Sequence, residues 1–192
     1  MSGGSLNASV GFLLAVLLMS VNGQSAFTRR SVDPLIAPRL SPIPPGSRGM
    51  KPDQVNIAGW NKAWTNLVNI AEQSFTPSMS RLVAVEVELV VGNDNAAKDE
   101  LTLSIFDASG NELTSATELV QSSNCEHALF VLPEGGVEVS PGNSYRIRLR
   151  GGTTFGWKYV LGGYPKGEAT FNSKPLLPKA RSTFLFRTFG PE

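Results

Sequence analysis

The chain's one histidine, His127, lies beside Glu126 and two residues from its one cysteine, Cys125, so this stretch holds the only thiol–imidazole pairing that the sequence offers. On an extended segment residues i and i+2 project to the same side, which makes Cys125-x-His127 half of a metal site. Zinc takes four protein ligands, or three and a water, and no second cysteine or histidine exists to complete the set. The pair therefore reads as structural. A cysteine nucleophile would have His127 as its sole base and no evident oxyanion donors, and no convergent set of positioned acids suggests a hydrolase. We expect no catalytic residue and a protein that is not an enzyme.

Three further groupings could bind. Glu86 and Glu88, two apart on a run of alternating apolar residues, would project from one sheet face, where a solvated carboxylate pair is the common case. Asn93, Asp94, Asn95, Asp99 and Glu100 gather oxygen donors of the type calcium takes. They lack the spacing of an EF-hand loop, which leaves Asp94 and Asp99 as the candidate metal ligands and otherwise no cofactor. The run Gly156-Trp157-Lys158-Tyr159-Val160-Leu161-Gly162-Gly163-Tyr164, if extended, puts Trp157, Tyr159 and Leu161 on one face. Aromatic rings stack on the apolar faces of sugars while Lys158, Arg146 and Arg148 reach hydroxyls or acidic substituents. The expected ligand-binding set is thus Trp157, Tyr159, Lys158, Tyr164, Arg146 and Arg148. The other reading of Trp157 and Tyr159 is that they plug a core between sheets.

These residues must be held by strands. Arg81 to Val91 alternates, with Val83, Val85, Val87, Leu89 and Val91 forming an apolar row that needs a covering layer. Leu101 to Asp107 alternates again, turns at Gly110 and returns as Leu113 to Val120, a hairpin. Glu72 to Phe75 reads as a strand stopped by Pro77. Pro141-Gly142 suits a type II turn, and Tyr145 to Arg150 leaves it with Arg146, Arg148 and Arg150 on the outer side. Ala128 to Leu132, Gly167 to Phe171 and Ser182 to Phe189 complete eight or nine short strands with frequent turn signals. The expectation is an all-β, antiparallel two-sheet β-sandwich, jelly-roll-like in architecture, over residues 54–192.

What precedes it differs in composition. Val10 to Val21 is an apolar run of signal-peptide length, followed by the small residues of Val21-Asn22-Gly23. Residues 1–23 are expected to be a signal peptide, although Met1 to Ser9 lacks lysine and arginine. Residues 24–53, with Pro38, Pro42, Pro44, Pro45 and Pro52, read as a proline-rich flexible linker. With 17 basic against 16 acidic side chains and no basic run, the chain has no field to hold a nucleic acid.

The order of the pieces Gln73-Ser74-Phe75-Thr76-Pro77, Leu82 to Val91, Leu101 to Asp107 with Gly110, Val139 to Leu149, Trp157 with Tyr164-Pro165-Lys166-Gly167-Glu168-Ala169, and Phe184 to Thr188 resembles the jelly-roll modules of secreted and surface-anchored bacterial proteins. Those are similar in fold to galactose-binding-like carbohydrate-binding modules. The resemblance implies a secreted or cell-surface, non-catalytic module that recognises carbohydrate or another extracellular ligand. The alternative is a structural or assembly protein of the envelope or matrix that contacts other proteins. No membrane span is expected after signal cleavage. Where such modules carry an acidic residue ahead of the last strand, this chain has Ser182-Thr183.

Overall fold

A computed structural model describes residues 49–57, 63–91, 98–121, 127–177 and 181–192. The expected signal peptide, most of the expected linker, Asp94 and Cys125 lie outside the described residues. Among the described residues no helix is long and apolar enough to cross a membrane.

The fold is an antiparallel β-sandwich. Its first sheet contains β1 (Met50–Asn56), β2 (Ala63–Asn66), β5 (Ala84–Val91), β8 (His127–Val131), β11 (Phe155–Leu161), β14 (Ser182–Phe184) and β15 (Phe186–Pro191). The order is β1-β15-β5-β11-β14, with β8 pairing β5 and β2 pairing β11. The second sheet runs β13-β12-β3-β10-β6-β7, built from β3 (Ala71–Phe75), β6 (Lys98–Phe106), β7 (Glu112–Gln121), β10 (Tyr145–Arg150), β12 (Ala169–Phe171) and β13 (Lys174–Pro175). A two-stranded ribbon pairs β4 (Arg81–Leu82) with β9 (Val137–Glu138). From β3 onward the chain passes repeatedly from one sheet to the other, as a jelly-roll-like path requires.

Alternation decides which side chains fill the space between the layers. From β5 come Val85, Val87 and Leu89, which are buried with Trp157, Phe184 and Phe186 against Phe75, Leu101, Leu103, Ile105, Ile147 and Leu149 of the opposite sheet. Val83 and Val91, the ends of the expected apolar row, are only half-buried. The reason for the first is that Val83 sits between β4 and β5, donating its amide to Phe189 O and accepting from Leu132 N.

Polar side chains tie the layers at one end of the core. Gln73, buried on β3, accepts from the Phe184 amide at 2.7 Å, joining the second sheet to the first. Tyr164 donates its hydroxyl to Gln54 Oε1 at 2.8 Å and accepts from Thr76 N. Burial holds that phenol above its ordinary pKa.

The turns follow the expected chemistry. Ser140-Pro141-Gly142-Asn143 closes with Asn143 N donating to Ser140 O, and Gly142 takes a φ of 85°, the left-handed value that a type II turn demands. In the β6–β7 hairpin Asp107 accepts from both the backbone and the side-chain amide of Asn111, which holds its carboxyl below the usual range.

Two boundaries differ from expectation. A strand begins at Met50, inside the expected linker, because β1 is an edge strand: Pro52 loses no ladder bond, and the bulge before Val55 is satisfied by Gln54 N donating to Thr188 Oγ1. The final run is not one strand but two, broken at Leu185. Its amide donates to Lys158 O, while its carbonyl accepts from Glu88 N and from the Trp157 indole at 2.8 Å. Trp157 also stacks on Phe184 at 4.2 Å and 12°. Replacing Trp157 by alanine is expected to cost about 3–5 kcal/mol of unfolding free energy, measured by urea titration.

Candidate binding face

The residues of β5 that point away from the core are Ala84, Glu86, Glu88 and Val90, and register extends them into rows across the first sheet. Arg187 of β15 opposes Glu86, which opposes Leu129 of β8, and Val55 of β1 continues this row beyond Arg187. In the next row His127 of β8 opposes Glu88, Lys158 of β11 reaches Glu88, and Trp64 of β2 opposes Lys158. Sequence alternation predicts these directions; the partners come from strands far apart in the chain.

This face is charged at its centre and yet withdrawn from water, contrary to the expected solvated pair. Glu86 is 2% exposed, Arg187 4%, Glu88 7% and Lys158 7%. Arg187 Nε lies 3.1 Å from Glu86 Oε2, His127 Nδ1 lies 3.3 Å from Glu86 Oε1, and Lys158 Nζ lies 3.8 Å from Glu88 Oε2. The Glu86 oxygens and Arg187 Nε are nonetheless without an aligned hydrogen bond, so the attraction here is chiefly electrostatic. The guanidinium of Arg187 also lies 5.9 Å from the Phe189 ring centroid.

At the margins the face opens. Trp64 is 43% exposed, and its indole lies over Gly156, where a Cβ would come within 2.2 Å of the ring. Val55 and Val131 are about half exposed, and His127 keeps 29% of its side chain accessible. The result is an exposed aromatic ring at one end of a row whose other end is an imidazole.

The six residues expected to bind together are dispersed. Trp157 is fully buried, and Tyr159 points the same way, edge-on to Phe184 at 6.2 Å. Tyr164 is interior too. The core reading of the aromatic strip is the one the structure adopts, because residues 157 and 159 fall on the inward parity of β11. Lys158 takes the opposite parity and joins the first sheet's outer face. Arg146 and Arg148 stand together on the second sheet's outer face, where both approach Glu72. Asp99 Oδ2 accepts from Gly152 N at 2.6 Å. Among the described residues no three of His, Cys, Asp and Glu are grouped to hold a metal ion. Trp64 is the surface aromatic that sequence reading missed; its pairing with β11 has no local signal.

No known family model and no curated protein matches this chain.

The ion cluster yields two tests. Contact with the Glu86 carboxylate, against the cost of burial, raises the His127 pKa above 6.5, and burial raises that of Glu88 above 4.5. Both groups hold protons more tightly folded than unfolded. The His127 contribution is therefore complete below about pH 6.5 and fades as pH rises through the folded value. Protonation of Glu88 adds stability as pH falls through its own raised value. The melting temperature should rise from pH 8.5 to pH 6, and His127→Gln should flatten that rise; an unchanged slope in the variant would remove His127 from the effect. Separately, Arg187→Met should destabilise by roughly 3–5 kcal/mol by leaving the buried Glu86 with His127 as its one remaining ion-pair partner among the described residues, and Glu86→Leu with Arg187→Met should recover most of that loss. Denaturant midpoints of the three proteins decide it.

Proposed function

We propose that this protein is an exported, non-catalytic β-sandwich module that binds carbohydrate on the outer face of its first sheet. The observation that carries the reading is Trp64. An indole lying over a glycine has one broad apolar surface backed by the sheet, and its exposure leaves that surface open to a sugar ring. Gly156 supports the placement, since any side chain there would displace the ring. His127, whose Nδ1 is turned to Glu86, offers its other ring nitrogen for a hydroxyl group from the far end of the same row. Export rests on the apolar run Val10 to Val21.

A second reading has its own support. Val55 and Val131 stand about half exposed on this face, and apolar side chains around a charged centre also suit contacts with another protein in an envelope or matrix assembly.

A glycan array read with the wild type and Trp64→Ala separates the two. Carbohydrate recognition predicts retention on at least one neutral glycan and a loss of about tenfold or more in the variant, near 1.4 kcal/mol. Retention on no glycan, with concentration-dependent oligomers in sedimentation velocity, would favour the assembly role instead.

A further inference from the structure

The outer face of the second sheet carries a feature that the Trp64 site does not use. Strand β10 alternates Tyr145-Arg146-Ile147-Arg148-Leu149-Arg150, so its three arginines form a ladder with steps of about 7 Å. The strand is central, flanked by β3 and β6. Across β6 and β7 the ladder meets hydroxyls. Arg148 is in register with Ser104 and then Ser115, and Arg150 with Thr102 and then Thr117, whose hydroxyls lie 2.9 Å apart. On the other side Glu72 opposes Arg148, and Thr170 opposes Glu72.

Among the described residues, close ion pairs meet only part of the ladder's charge, and all of them go to Glu72. Glu72 is buried and committed chiefly to Arg148, with Nε 2.8 Å and Nη2 2.7 Å from Oε1. Arg148 is further fixed by stacking over the Phe106 ring at 4.0 Å. Arg146 reaches the second oxygen of Glu72 only at 3.9 Å and keeps 36% of its side chain accessible. Arg150 is exposed, and no ion pair among the described residues involves it. The other charges on this face are Lys98 and Glu100 toward the far end of β6, Glu112, which follows Arg146 across Phe106, and Glu168, which follows Arg146 across Ser74, so Arg150 is the rung with no carboxylate in its own row among the described residues.

We propose that the β10 ladder, Arg146 and Arg150 with Arg148 as the fixed middle rung, docks the carboxylates of an acidic polysaccharide. Guanidinium groups present the planar fork that pairs with carboxylate, and the exposed Ser115 and Thr117 of β7 offer hydroxyls to the hydroxyls of the same chain. A nucleic acid suits the face less well. Phe106 is buried under Arg148, leaving no open ring there for base stacking, and three arginines are few for a phosphate backbone. The assignment shares with the preceding one a polysaccharide ligand but none of its residues.

The test is affinity electrophoresis of the full chain in gels containing polygalacturonate, dextran as the neutral control, or a single-stranded oligonucleotide. Retardation by polygalacturonate at low ionic strength is expected, relieved by salt. In Arg146→Gln with Arg150→Gln the dissociation constant should rise about tenfold or more, with an unchanged melting temperature. A single variant, Arg150→Gln, should show an intermediate loss. Wild-type protein that polygalacturonate does not retard, a double variant retarded equally, or tighter retention of the oligonucleotide would each overturn the proposal. Neutral-glycan binding by the arginine variants reads the Trp64 face alone, so failure of either site is seen without the other.

Discussion

The contact on which both the core and the candidate face depend is the backbone of Leu185. Its amide donates to Lys158 O, and its carbonyl receives both Glu88 N and the indole N–H of Trp157. Here the last strand changes partner, β14 pairing with β11 and β15 with β5. An interruption in a buried strand would ordinarily leave polar groups without partners, and at Leu185 the indole supplies an additional donor. The same ring then stacks on Phe184, which makes Trp157 both a filler of the core and the group that satisfies the break.

That arrangement has a consequence on the other side of the sheet. Because Leu185 bonds to both Glu88 and Lys158, it holds β5 and β11 where a glutamate and a lysine come within reach, and β15 beyond it presents Arg187 to Glu86. Charged groups removed from water are costly unless well paired, and the pairs here are close but poorly aligned. An apolar face would be the more stable solution for a sheet that only needed covering. The ionic centre, bordered by Trp64 and His127, marks this face as the one on which composition departs from what packing alone requires.

The two outer faces differ in kind. On the first sheet the charges are withdrawn and the open groups are apolar or aromatic. On the second, Arg150 is exposed and Arg146 half-buried beside serine and threonine side chains, and Arg148 is held on Glu72. A sandwich offers two such faces from one core, and strand parity keeps each set of side chains apart from the other.

Local pattern alone determined β3, β5, β6, β7, β8, β10 and β12, the hairpin at Gly110, the Pro141-Gly142 turn and the parity of the residues on β5 and β10. All of these follow from interactions between near neighbours in the chain and from the two-residue period of the extended backbone. Parity already implied that Trp157 and Tyr159 lie on the side opposite Lys158; it could not say which side was the core. Tertiary structure decided that, since burial depends on which sheet face meets the other layer. It also decided the pairings of Glu86 with Arg187 and of Trp64 with β11, as well as the break at Leu185. Each joins segments remote in sequence, whose register is set by the packed core rather than by the residues that meet.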